Sequence, residues 1–195
     1  RCDTVLPVVP MFHANAWGAP YSAFIAGAKM VLPGPKMGDG KTLQALIESE
    51  DVTVALGVPT IWLTLLSYLR ETGTTIDSLE RTIVGGAACP LAIMKEFQDK
   101  HGVYTHHAWG MTEMSPLGSL NTLSKVSENF KDSELDVVRI KQGQAPFGVE
   151  MKIVDDAGQE LPWDGKAFGD LKVRGWWVCD SYFHVEGTSD THDAD

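Results

Sequence analysis

Apolar and polar positions along the chain follow two different periods, and the blocks alternate. Val5–Val9 is a short continuous apolar run, as in a buried strand, and Lys29–Leu32 is another. Leu43, Leu46 and Ile47 recur at helical spacing within Thr42–Glu50, which gives that segment one apolar face. Val52–Leu56 again reads as a strand. Pro59 suits the first turn of a helix, and Ile61, Leu65, Leu66 and Leu69 continue it as a stripe. Asp77 and Glu80 have the spacing of a capping box. Thr82–Val84 reads as a strand running into Gly85-Gly86. Pro90 opens a further helix with Ile93, Met94 and Phe97 on one side, Gly102 closes it, and Val103–Thr105 follows as a strand.

Strands alternating with helices predict an α/β fold, with a mainly parallel sheet flanked by helices. The texture changes near Leu123. Residues 1–122 are expected to form the α/β part of a larger domain, and the polar stretch 123–139 a surface excursion. Residues 140–195 are expected to form an incomplete β-rich subdomain of distorted-barrel type. There Val149–Val154 and Gly169–Val173 run close to period two, on either side of the turn-rich DDAGQELPWDG. Alternation would turn Asp170, Lys172 and Arg174 outward and Leu171 and Val173 inward.

Charge and cysteine usage narrow the function classes. The 195 residues carry a formal net charge of −10, which argues against a nucleic-acid backbone as partner. A small anion held by local amides and a metal remains compatible with that charge. Three cysteines, without a CxxC pair, fit a reducing and hence cytoplasmic setting. No apolar run reaches the roughly 20 residues of a transmembrane helix. Arg1-Cys2-Asp3 enters an apolar segment directly and the acidic GTSDTHDAD ends the chain, so an internal fragment of a longer polypeptide is expected.

The stretch GPKMGDGKT (Gly34–Thr42) nearly spells a phosphate-binding loop. The G-x-x-x-x-G-K-[ST] pattern, counted back from Gly40-Lys41-Thr42, needs glycine where Pro35 stands. Such a loop aims successive backbone N–H groups at phosphates, and proline has none to offer. A solvated strand-to-helix turn is the better reading. A P-loop NTPase stays open as an alternative, in which Lys41→Ala would abolish nucleotide binding. His101, His106 and His107 lack partners at zinc-ligand spacing, and the adjacent pair His106 and His107 would point to opposite faces of a strand. HExxH and GxSxG signatures are absent.

Five dispersed segments carry more chemistry: VPMFHANAW (Val9–Trp17), GVPTIW (Gly57–Trp62), IVGGAACP (Ile83–Pro90), HAWGMTEMSP (His107–Pro116) and GDLKVRG (Gly169–Gly175). Thr112 offers a hydroxyl to a phosphate oxygen, and Glu113 is a hard oxygen ligand suited to Mg²⁺. Read alone, the pair is better explained as a helix start, with Thr112 as cap and Glu113 meeting the dipole; the surrounding segments reverse that preference. Gly85-Gly86 ends a strand without side chains, so either a flat base or a plain turn fits there.

Together and in this order, the five segments resemble the acyl-adenylate-forming (AMP-binding) superfamily. Within it they are most similar to bacterial medium- and long-chain fatty acyl-CoA synthetases, including methylmercaptopropionate-CoA ligases. The resemblance implies a two-step reaction in which a carboxylic acid and ATP give acyl-AMP and pyrophosphate, and coenzyme A then takes the acyl group. It implies Thr112 and Glu113 as catalytic residues, with Glu113 holding Mg²⁺. It places Gly86, Ala87, His107, Ala108, Trp109 and Thr112 around the nucleotide. His13, Ala14, Trp17, Gly110 and Met111 would line the acyl site, with Trp17 as a gate. Relatives often have an amide-bearing side chain where His107 stands. The β- and γ-phosphate loop, the ribose-binding aspartate and the catalytic lysine of a mobile C-terminal domain would lie outside these residues, so the isolated chain is expected to be inactive. A homodimer is compatible with the resemblance. A catalytically silent adenylate-binding or scaffold domain is the main alternative.

Overall fold

The computed structural model describes residues 2–123, 129–184 and 192. Its centre is a six-stranded sheet in the order β2-β1-β3-β4-β5-β6. The strands are β1 (Thr4–Val8), β2 (Lys29–Met30), β3 (Val54–Gly57), β4 (Arg81–Val84), β5 (Tyr104–Gly110) and β6 (Leu117–Leu120). The first five in spatial order are parallel, and β6 turns back antiparallel on β5. A mainly parallel sheet with flanking helices is thus what the apolar blocks predicted.

The helices α1 (Ala14–Trp17), α2 (Ala19–Ile25), α3 (Gly40–Ser49), α4 (Pro59–Thr72), α5 (Leu91–His101) and α6 (Asp132–Arg139) occupy the connections. α3, α4 and α5 cover one sheet face. The core beneath them joins Leu6 and Val8 to Leu43, Ile47, Trp62, Leu65, Leu66, Leu69, Ile93 and Phe97, all essentially buried. Each large apolar side chain buried this way contributes about 1.5–3 kcal/mol before entropy is counted. Trp62 meets Phe97 edge-on at 5.9 Å and donates its indole N–H to the Gly57 carbonyl at 3.1 Å, so the ring leaves no orphaned donor. On the opposite face α2 lies against β1 and β2, and a smaller cluster joins Ala19, Val54 and Leu56 to Val5, Trp17 and Ile83.

Local chemistry accounts for several element ends. Asp39 caps α3 by accepting from the Thr42 backbone N–H at 3.0 Å. Gly73 and Gly102 close α4 and α5 in the left-handed conformation. Three details differ from the sequence pattern. Asp77 and Glu80 start no helix; the segment from Gly73 to Glu80 is turn and coil, held by Ser78 Oγ donating to the Ile47 carbonyl at 2.8 Å. Inside the polar stretch 123–139 lies α6, bound to α5 through a Lys95–Asp136 ion pair. Finally, β7 (Val149–Val154) and β8 (Asp170–Gly175) form an antiparallel hairpin in which Leu171 is 42% exposed. A two-stranded ribbon is too narrow to bury its apolar face, so the predicted inward turn of Leu171 gives no enclosure there.

Candidate functional site

Open parallel sheets bind ligands beyond the carboxyl ends of their strands, near the point where strand order reverses. Here β1 leads to β2 on one side and the chain then crosses to β3 on the other, so the reversal falls between β1 and β3. The segments leaving β1, β3, β4 and β5 at that edge contain His13, Ala14, Trp17, Val58, Gly86, Ala87, Met111, Thr112 and Glu113. His107, Ala108, Trp109 and Gly110 form the last part of β5 itself.

The segment after β1 is strained. Ala14, Asn15, Ala16 and Trp17 all have left-handed φ, between 44° and 56°, and close one left-handed helical turn. Such a conformation costs roughly 1–2 kcal/mol per L-residue. It persists because both ends are tied: His13 N–H donates to the Pro10 carbonyl at 2.9 Å, and Gly18 N–H to Asn15 at 3.1 Å. Strain of this kind gathers at ligand clamps and switch segments. The turn brings the half-buried indole of Trp17 over Gly85-Gly86. A Cβ placed on Gly85 would stand 3.4 Å from the ring, and one on Gly86 3.7 Å from it. Gly86, with φ of +75°, also faces Val58 of the β3 exit. Trp17, Val58, Gly86 and the carbonyl of Ala108 are therefore neighbours. Ala87 is exposed beside them, as are His13 and, in part, Ala14.

Beyond Gly110 the chain makes a 3₁₀ turn, Thr112–Met114, and returns as β6. Met111 N–H donates to the Pro116 carbonyl at 2.9 Å. The two limbs approach so closely that a Cβ on Gly110 would overlap the Pro116 carbonyl at 1.9 Å, so only glycine fits. Trp109 lays its ring against Gly118 inside this hairpin. Met114 is buried beneath the turn, while Met111 and Thr112 are exposed and Glu113 is half-buried. Thr112 opens that turn and is exposed to solvent.

Glu113 is the acidic group of this edge. Its Oε1 accepts from the Tyr182 hydroxyl at 2.7 Å, and its backbone carbonyl accepts from Cys179 N–H at 2.8 Å. The hydrogen bond from Tyr182 holds the Glu113 carboxyl below the usual carboxylate range, and Glu113 in turn pushes the Tyr182 phenol upward. Among the described residues, no group of three or more His, Cys, Asp or Glu forms a closed metal cage. One carboxylate next to one hydroxyl is a donor set that fits Mg²⁺ when phosphates and water complete its shell.

His107 is fully buried and has a different occupation from its neighbours. Nε2 accepts from the Cys89 backbone N–H at 3.3 Å, which leaves the ring proton on Nδ1 to donate to the Ile140 carbonyl at 3.0 Å. The imidazole thus ties β5 to the Gly85–Cys89 loop and to the end of α6. Asn121 completes that latch, donating from Nδ2 to the carbonyls of Val138 and Lys141 at 2.6 and 2.7 Å. His106 points the other way, with Nδ1 donating to the Asn121 carbonyl at 2.8 Å.

Sequence reasoning passed over Tyr182, Asn121 and the bracing role of His107. No spacing rule links Tyr182 to a residue 69 positions earlier; only the fold of the hairpin exit brings them together.

The near-miss phosphate loop has a hollow of about 490 Å³ beside it, lined by Asp39, Gly40, Lys41, Thr64, Ser67 and Glu71. Asp39 and Glu71 make it unfavourable for a phosphate, and the Thr42 hydroxyl is spent on Asp39. Another hollow, of about 410 Å³, lies on the hairpin between Phe147 and Trp176. The first is lined by residues at the start of α3 and along α4, the second by β7, β8 and their flanks.

The sequence pattern of the AMP-binding enzymes matches residues 1–183. The chain belongs to the AMP-binding enzyme family. Over 184 residues it is 54% identical to the 3-methylmercaptopropionyl-CoA ligase of Ruegeria lacuscaerulensis, a match covering 94% of this chain and 34% of that protein. Over 192 residues it is 51% identical to the medium-chain-fatty-acid–CoA ligase of Ectopseudomonas oleovorans, covering 98% and 35%. Among solved structures, O-succinylbenzoate coenzyme A synthetase from Bacillus subtilis, in complex with ATP and magnesium ion, superposes with a TM-score of 0.74 at 27% identity, covering 94% and 35%. This AMP-binding chain spans about a third of the length of the curated relatives it matches.

Proposed function

We propose that this chain is the central part of an ATP-dependent acyl-CoA ligase that activates a carboxylic acid as acyl-AMP and passes the acyl group to coenzyme A. The observation that carries the reading is the gathering of the β1, β3, β4 and β5 exits at one sheet edge, with Trp17 against Gly85-Gly86 and Glu113 on the adjoining turn. The similarity to CoA ligases supports the same assignment.

In this reading adenine lies along Gly86 and Ala87 and the end of β5, through Ala108 and Trp109. His107 holds that loop in place from below, since both ring nitrogens are already engaged by backbone. The Thr112 hydroxyl donates to the α-phosphate, and Glu113 would hold Mg²⁺, which supplies charge neutralisation at the phosphates. His13, Ala14, Trp17, Gly110 and Met111 border the acid. The carboxylate attacks the α-phosphorus, pyrophosphate leaves, and the coenzyme A thiol then displaces AMP. No enzyme nucleophile is needed, so positioning and electrostatics do the catalytic work. The acyl group is read as a fatty or thioether acid, and a homodimer is compatible with the assignment. Among the described residues no helix is long and apolar enough to cross a membrane.

The test is an acid panel on the intact protein, scoring acyl-CoA and AMP by mass spectrometry. Acid-dependent formation of both is expected, strongly reduced by Thr112→Ala. Tight binding of AMP without turnover of any acid would favour a silent adenylate-binding domain instead.

A further inference from the structure

We infer that Tyr182 is a positioning residue for Glu113: its hydroxyl fixes one carboxylate oxygen and so presents the other to the cation that accompanies the nucleotide. This inference rests on the magnesium reading of Glu113 proposed above. The exit of β8 is fastened to the turn and strand that follow β5 at three points. Trp177 Nε1 donates to the Leu117 carbonyl at 3.2 Å, Cys179 N–H donates to the Glu113 carbonyl at 2.8 Å, and the Tyr182 hydroxyl donates to Glu113 Oε1 at 2.7 Å. The first holds the backbone at the start of β6, the second the backbone of the turn, and the third the carboxylate itself. The Tyr182 ring is steadied in turn by an edge-on contact with His192 at 5.5 Å.

Burial does not explain the tyrosine. Tyr182 is 44% exposed, so water would satisfy its hydroxyl at little cost if the carboxylate were absent. What the bond changes is the freedom of Glu113. A half-exposed carboxylate otherwise rotates about its last torsion and must be ordered when a cation binds. A charge-assisted hydrogen bond fixes its plane beforehand, and with about four acceptor sites the carboxylate keeps capacity for an ion. Partners that orient a ligating group in this way typically alter metal affinity 10–100-fold.

The experiment is calorimetric titration of ATP into the intact protein, in magnesium and in EDTA, for wild type, Tyr182→Phe and Glu113→Gln. Magnesium is expected to tighten ATP binding in wild type, and Glu113→Gln to remove that gain. Tyr182→Phe is expected to cut the gain about tenfold, while affinity in EDTA and the melting temperature stay unchanged. The inference is overturned if Tyr182→Phe keeps the full magnesium gain while Glu113→Gln loses it. It is also overturned if Tyr182→Phe weakens binding equally in both buffers. A magnesium gain that survives Glu113→Gln would instead sink the metal reading of Glu113, and the role of Tyr182 with it.

Discussion

Replacing His107 by alanine tests whether the imidazole acts as a brace beneath the Gly85–Cys89 loop. The substitution removes one acceptor and one donor, leaving the Cys89 N–H and the Ile140 carbonyl without their partner. An unmade bond at the buried Cys89 N–H costs about 1–3 kcal/mol, and the Ile140 carbonyl, on a residue 45% exposed, adds less because water can reach it. For a protein of this size each kcal/mol lowers Tm by about 2–4 °C. The loss is also local. If Cys89 N–H is freed by 1.4–2.8 kcal/mol, a peptide spanning the loop after β4 should exchange its amide hydrogens roughly ten to a hundredfold faster. Hydrogen exchange read by mass spectrometry, alongside thermal unfolding, checks both. His107→Gln, which retains an amide able to reach one of the two partners, should recover part of each effect. Unchanged exchange at the loop, or a Tm within a degree of wild type, would refute the brace.

Three further outcomes follow from the same geometry. Trp17→Ala removes the indole lying on Gly85-Gly86; ATP affinity should fall roughly tenfold, about 1.4 kcal/mol, and acyl-chain preference should shift, whereas unchanged values for both would end the gate reading. Burial pushes the Cys89 thiol up to about 12, so iodoacetamide at pH 8 should leave it unlabelled in the native protein and label it after unfolding in guanidinium; rapid native labelling would contradict its burial. Burial also lowers His101 and His106 below the ordinary 6.5. The folded state therefore prefers their neutral forms, so their contribution is fully present above pH 6.5 and is lost as pH falls through the lower folded values. Tm should decline as pH falls below 6.5, and His106→Asn should flatten that decline; a flat profile in the parent would contradict the shift.

The sheet was readable because its central strands β1 and β3 are buried on both sides and α3, α4 and α5 carry apolar stripes. Val5–Val9 against the observed Thr4–Val8, and Pro59 opening α4, show how closely such blocks mark their elements. α6 was not readable: it is short, its apolar residues Leu135, Val137 and Val138 are not buried, and what ties it down is an ion pair to Lys95 and side-chain bonds from Asn121, neither of which leaves a periodic trace. Asp77 and Glu80 illustrate the reverse, a local signal overridden because that segment is spent on crossing from α4 to β4. The candidate site was legible as a set of segments, through the likeness to a known family. Its internal logic was not. The left-handed turn at Ala14–Trp17 contains no glycine to announce it, and the tie between Tyr182 and Glu113 exists only once the hairpin exit folds back over the turn.

A crystal structure of the intact protein with a non-hydrolysable acyl-AMP mimic would decide most directly where the adenylate sits. The adenine is expected along Gly86 and Ala87, the phosphate surrogate within hydrogen-bond reach of Thr112, and the acyl chain leading toward Trp17. Density for the mimic beside Lys41 and Thr42, or anywhere remote from the carboxyl ends of β1, β4 and β5, would contradict the assignment.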